Sequence, residues 1–415
     1  MKKLLFILFL IPFLKTSGQT SAFNIIPLPV QATQAPGKFT LDRNTIISYS
    51  DAGAKAVAEM LAEKLDRPTG FTLVTRAGET GNIKLVINKK EDTRIGKEGY
   101  TLHVTTGSAV IAANQPAGLF YGIQTLLQLL PDQIESTVKT SADWTVPGAD
   151  ILDYPRFGWR GLMLDVSRHF FTREEVKAYI DEMARFKFNT LHWHLTDDEG
   201  WRVEIKSLPK LTQVGAWRVK RYGRFGEAEA PRPGEKATDG GFYTQEDVKE
   251  IIRYAADRMV TIVPEIDVPG HSMAAIASYP DPSCSKDTGV KVNPGSNFAK
   301  WFDNGKFQML VDNTLNPSDE NVYGFLDKVF TEIAALFPNP YIHVGGDECY
   351  KGFWEKDQGC LSLMKKLNYT DIEQLQGYFE NRLEKILKSK GKKLIGWDEI
   401  LDGGISPEAT VMSWR

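Results

Sequence analysis

With 415 residues, 42% of them hydrophobic, the chain is long enough for about two globular domains, each burying its own core. Charged residues make up 25% and the formal net charge is −3, so there is no basic excess to neutralise phosphates, which argues against nucleic acid as a partner. Cys284, Cys349 and Cys360 are an odd set of three, which rules out a full disulfide framework; Cys349 and Cys360 are the nearest pair in sequence, and unbridged buried thiols are the expectation.

The N-terminus has the layout of a signal peptide over residues 1–18: Lys2-Lys3, an apolar run from Leu4 to Leu14, then Lys15 and small residues through Gly18. Export to the periplasm or the medium follows as an expectation. Removing Lys2, Lys3 and Lys15 takes the net charge from −3 to −6. No later stretch approaches the roughly 20 apolar residues of a membrane span. From residue 19 to about 150 the pattern predicts a small α/β domain. Its strands include Lys84 to Ile87 and Tyr100 to Val104, and its helices run over about Ala54–Leu65 and Ala117–Leu130. A hinge is expected over Asp150–Gly158, where Pro155 and Gly158 interrupt the pattern, with the second domain taken as 151–415.

From Trp159 onward short apolar strands end in polar residues and lead into helical stretches. The strands are 161–166, 190–195, 261–266, 341–346, 394–396 and 410–413, and this βα repeat predicts a (β/α)8 TIM barrel with its active site at the C-terminal strand ends. Six strands precede residue 415, so the barrel is expected to be incomplete and to present two apolar sheet edges.

The strongest chemical signal is His343-Val344-Gly345-Gly346-Asp347-Glu348. Two glycines end a strand and present adjacent carboxylates, whose crowding is expected to raise the pKa of one and leave the other ionised; Glu348 is the acid candidate. Sequence neighbours approach a substrate from one side. Asp347 is therefore poorly placed to attack opposite Glu348 and well placed to hold an amide N–H, which fits a reaction whose nucleophile belongs to the substrate. His192 and His194, at one strand end, are read as barrel packing rather than as metal ligands.

Four segments in order carry a resemblance: Arg160 to His169, Leu191 to Asp198, Pro264 to His271, and His343 to Glu348. They resemble glycoside hydrolase family 20, and the preceding domain resembles the small α/β domain of that family. The resemblance implies a retaining exo-β-N-acetylhexosaminidase acting on terminal β-linked GlcNAc or GalNAc of glycans or chitin oligosaccharides, with no metal or cofactor. It makes Glu348 the acid/base and Asp347 the group that orients the acetamido arm and stabilises an oxazolinium intermediate. It implies that Asp197 and His271 support the acid/base, with Asp267 beside them, and that Arg168 binds sugar hydroxyls. Trp397 and Trp414 would wall the pocket for the acetamido methyl. A lacto-N-biosidase of the same family and a catalytically inactive sugar-binding protein are the alternatives.

Overall fold

The computed structural model describes residues 23–415 apart from 225, 298 and 304–306; the expected signal peptide lies outside them. The chain divides between Arg156 and Phe157 into two compact units.

The first unit is a seven-stranded sheet of β1 (Gln31–Thr40), β2 (Ile46–Tyr49), β3 (Val74–Ala77), β4 (Ile83–Ile87), β5 (Tyr100–Val104), β6 (Ala109–Ala113) and β7 (Thr145–Asp153), in the order β1-β7-β5-β6-β4-β2-β3. Helices α1 (Ala52–Thr69) and α2 (Pro116–Gln128) pack on the sheet and on each other. The alternation that buries Ile83 and Leu85, Leu102 and Val104, and Ala109 and Ile111 is that of strands with one face on a core. Asp51 starts α1 by accepting from the Ala54 N–H, and Gly70 ends it at φ +67°. The unit runs past the expected boundary at 150 because β7 continues to Asp153, paired with β1 on one side and β5 on the other.

The second unit is built on six parallel strands, β8 (Gly161–Asp165), β9 (Thr190–His194), β10 (Thr261–Glu265), β11 (Tyr341–His343), β12 (Lys393–Trp397) and β13 (Thr410–Met412), each paired with the next in sequence. Helices α3 (Arg173–Arg185), α4 (Gln245–Asp257), α5 (Glu320–Leu336), α6 (Gln358–Leu367) and α7 (Glu373–Ser389) lie between them in sequence. This is the (β/α)8 barrel architecture with six strands present. All five residues of β9 are buried, as expected for a parallel strand covered on both faces.

Two long excursions leave the C-terminal ends of β9 and β10. They carry the hairpins Trp217–Val219 with Ala237–Gly240 and Ala299–Trp301 with Phe307–Met309. The buried Arg202 pins the first excursion to the end of β8, because its guanidinium donates to the carbonyls of Val166, Ser167, Glu199, Ala216 and Gly241. All three cysteines are free, and the sulfurs that face each other are those of Cys284 and Cys360 beside Asp357, within 4.8 Å, rather than the sequence neighbours Cys349 and Cys360. The fold brings the second excursion back onto the start of α6, which sequence distance does not show.

Candidate active site

The strand ends position the polar groups through local turns. Asp165, the last residue of β8, accepts from the N–H groups of Ser167 and Arg168 through Oδ1, which turns the chain and brings the Arg168 guanidinium over the barrel rim. That guanidinium meets Asp165 Oδ2 at 3.1 Å, Asp197 Oδ2 at 2.5 Å and Glu199 Oε2 at 3.3 Å. Asp197 is fully buried and also faces His194 Nε2 at 2.8 Å and His271 Nδ1 at 3.0 Å. Burial alone would raise its pKa; the charges of His271, Arg168 and His194 hold it well below the usual carboxylate range. His271 sits at φ +49°, and its other nitrogen, Nε2, lies 3.7 Å from Asp347 Oδ2 and 3.5 Å from Glu348 Oε2. Burial works against a charged imidazole there, but Asp197 first, then Asp198 and Glu348, keep His271 protonated well above its ordinary value.

The carboxylate pair is presented by a turn that requires glycine at Gly345 and Gly346. After β11 the chain takes φ +73° at Gly345, +92° at Gly346 and +44° at Glu348. A β-carbon on Gly345 would fall 1.7 Å from Asp267 Oδ1, the oxygen that accepts the Gly346 N–H at 3.3 Å. The left-handed backbone at Glu348 undoes the alternation of neighbouring side chains, so both carboxylates face one imidazole. Their protonation departs from the sequence expectation. Burial raises Asp347 to about 6, with Glu265 and Asp197 adding to it and His271 opposing, whereas Glu348 is lowered, chiefly by its contact with His271. Burial separates the two: the Glu348 side chain is 45% accessible and Asp347 only 17%, so the desolvation that raises Asp347 is outweighed at Glu348 by the contact with His271.

A cavity of about 880 Å³ opens over this cluster, lined by Arg168, Asp197, Glu199, His271 and Glu348 on the barrel side. Gly226 and Glu227 of the first excursion and Lys300, Phe307 and Leu310 of the second form its outer wall. The structure thus brings Arg168, Asp197, His271 and Glu348 to one cavity, with Asp347 and Asp267 packed directly behind. The two tryptophans stand apart from this cavity. Trp397 turns inward, donating from Nε1 to Glu265 Oε1 at 2.9 Å with its ring against His343 and His192. Trp414 is half exposed and donates to Glu399 at 2.9 Å. Neither is among the residues that line this cavity.

Sequence reasoning missed two carboxylates. Glu265, fully buried, is the hub of the barrel interior, facing His194 Nδ1 at 2.5 Å, His192 Nε2 at 2.7 Å and His343 Nδ1 at 3.1 Å. His192, Glu265 and His343 present ligand atoms within 4.8 Å of one another, the spacing of a cation site. Glu265 is already engaged by His194 and Trp397, and His343 Nδ1 accepts the Gly345 N–H, so two of the three groups are committed to hydrogen bonds within the barrel. Glu199, pushed up to about 8 by burial and by Asp197 and Asp198, stands on the cavity wall beside Arg168. Its signal was available in the acidic run Asp197-Asp198-Glu199.

The model for the catalytic domain of glycosyl hydrolase family 20 matches residues 157–415, and that for domain 2 of the same family matches residues 22–154. The chain belongs to glycosyl hydrolase family 20. Among characterised relatives, a beta-hexosaminidase of Porphyromonas gingivalis is 42% identical, aligned over 94% of this chain and 47% of its own length. A beta-hexosaminidase of Vibrio furnissii is 37% identical, over 95% of this chain and 60% of its own. The chain thus spans about half the length of these family 20 relatives. The N-acetyl-beta-hexosaminidase of Streptomyces plicatus, solved with Thio-NAglucal, superposes with a TM-score of 0.78 at 35% identity, over 94% of this chain and 68% of that one. A beta-N-acetylhexosaminidase of Bacteroides fragilis gives 0.76 at 33% identity, over 94% and 70%. The family 20 boundary at 154–157 coincides with the division between the two units.

Proposed function

We propose that this family 20 chain carries the catalytic apparatus of a retaining exo-β-N-acetylhexosaminidase that removes terminal non-reducing β-linked GlcNAc or GalNAc. The observation that carries the reading is the adjacency of Asp347 and Glu348 on one side of the cavity, both within 3.7 Å of His271 Nε2. Two carboxyl groups so placed do not flank an anomeric carbon, which leaves the nucleophile to the substrate.

In the proposed reaction the acetamido oxygen attacks C1, the bond from C1 to the leaving oxygen breaks, and Glu348 gives that oxygen its proton. Asp347 accepts the acetamido N–H and offsets the positive charge of the oxazolinium ion. Water then adds at C1, yielding its proton to Glu348 and returning the acetamido group. Glu348 must hold a proton at the start, and the sugar and leaving group supply the reason. Filling the cavity removes water from the exposed side of Glu348 and so raises its pKa from the low value of the open site. Glycans and chitin oligosaccharides with terminal N-acetylhexosamine are the proposed substrates, met outside the cytoplasm after export. Arg168, with three carboxylates fixing its orientation, is the proposed donor to the sugar hydroxyls.

Release of p-nitrophenol from its β-GlcNAc glycoside tests this directly. The parent is expected to be active, Glu348→Gln and Asp347→Asn to lose activity, and a thiazoline analogue of the intermediate to inhibit. A folded parent that binds GlcNAc without hydrolysing the glycoside would overturn the reading in favour of a sugar-binding protein.

A further inference from the structure

Helix α7 lies against the side of the Gly345–Glu348 turn that faces away from the cavity. Gln376 and Glu380, four residues apart on one face of the helix, are both fully buried. Gln376 Nε2 donates to the Gly346 carbonyl at 2.6 Å. A β-carbon on Gly346 would lie 3.2 Å from Glu380 Oε1 and 3.8 Å from Gln376 Nε2, so both polar ends rest on the backbone that precedes Asp347. Neither oxygen of Glu380, nor Oε1 of Gln376, has a hydrogen-bond partner among the described residues.

An ionised carboxylate buried without a partner is among the most costly arrangements in a protein, and neutralisation is the usual escape. The charged groups around Glu380 favour that escape. Lys351 is the nearby cation, but it is paired with Glu373 Oε2 at 2.8 Å, and Asp347 adds negative charge from the turn. Burial first, with Asp347 reinforcing it, holds Glu380 well above the usual carboxylate range. As a neutral acid Glu380 is a donor, and the free acceptor one helical turn away is Gln376 Oε1. The turn itself needs such support at Glu348, a non-glycine residue held at φ +44° directly after Asp347.

We propose that Gln376 and Glu380 are positioning residues, a polar brace behind the turn that fixes where Asp347 and Glu348 point. Its kinetic consequence rests on the hydrolase reading above; its structural consequence does not. The test uses the full chain with Gln376→Met, which keeps size and removes the donor, and Glu380→Gln, which keeps shape and neutrality. In Gln376→Met, amide exchange over residues 343–350 is expected to quicken by about 10-fold while the first unit is unchanged. On the p-nitrophenyl glycoside, kcat is expected to fall by about 10- to 100-fold with KM within about 2-fold, and the acid limb of the pH profile to move. Glu380→Gln is expected to match the parent in all three. Parent-like exchange and pH profile in Gln376→Met would overturn the proposal; so would a Glu380→Gln protein with exchange as fast as Gln376→Met. If Gln376→Met does not fold, Gln376→Asn, which keeps the amide but withdraws it from Gly346, decides by the same readouts. A parent without hydrolase activity counts against the functional reading alone, and the exchange arm still decides the brace.

Discussion

Gly345 has the least freedom of any residue at the site, since an added methyl group would overlap the carboxylate of Asp267 at 1.7 Å and φ is +73°. Gly345→Ala is expected to lower kcat/KM by at least ~100-fold through displacement of the adjacent carboxylates, with the far-ultraviolet circular dichroism unchanged. Wild-type kinetics in that variant would show that the turn has other ways to close. Asp347 gives a pH-dependent counterpart. It must be ionised to accept an amide N–H, so kcat/KM is expected to rise through about pH 6. Its folded pKa lies above the ordinary 3.8, so its contribution to stability is complete below about pH 4 and is lost as pH rises through about 6. Asp347→Asn should therefore be inactive yet melt higher than the parent above pH 6, by no more than about 3 kcal/mol at about 1.4 kcal/mol per pKa unit, the two converging in acid. Melting curves at about pH 4 and pH 8 check the sign. Asp347 and Glu348 were legible in the strand end His343–Glu348 itself, whereas Arg168, Asp197 and His271 were pointed to by the family resemblance; the fold gathers all five at the strand ends, where a barrel puts its chemistry. Glu265 was not legible, because its importance comes from three strands converging on one carboxylate, and neither were Gln376 and Glu380, which sit on a helix and act through backbone. Nor does sequence show which carboxylate an indole N–H will find: Trp397 finds Glu265 and Trp414 finds Glu399.

The helices that separate the barrel strands depend on their first turns. Thr172 and Thr244 each close a capping box, the hydroxyl accepting from the N–H of Glu175 or Asp247 while that carboxylate accepts from the threonine N–H. Arg173 then joins α3 to α4 through Asp247 at 3.1 Å and Glu250 at 2.9 Å. Thr244→Ala removes one orphan-donor partner at the start of α4 and is expected to cost about 1 kcal/mol in urea unfolding, with the slope of the transition unchanged. No loss of stability would mean that Asp247 and solvent satisfy the helix end without the hydroxyl. All six barrel strands fell within three residues of their expected ends, since an apolar run closed by polar residues is an unambiguous pattern when both sheet faces are covered. The small domain was less legible. Its strand β7 enters the expected hinge as far as Asp153, because β1 and β5 pair with it on either side, and the division between the units at Arg156 and Phe157 falls within that hinge.

For the second unit taken whole, the cluster belongs to no single element. Arg168 follows β8, Asp197 follows β9, His271 follows β10, and Asp347 and Glu348 follow β11, so four neighbouring parallel strands must keep their order for the cavity to form. Hydrolysis of the p-nitrophenyl glycoside is therefore expected to be lost with the tryptophan fluorescence of the folded state as urea is raised, the two midpoints coinciding. Activity lost well below the fluorescence midpoint would show instead that the Gly345–Glu348 turn opens on its own while the strands still hold their order.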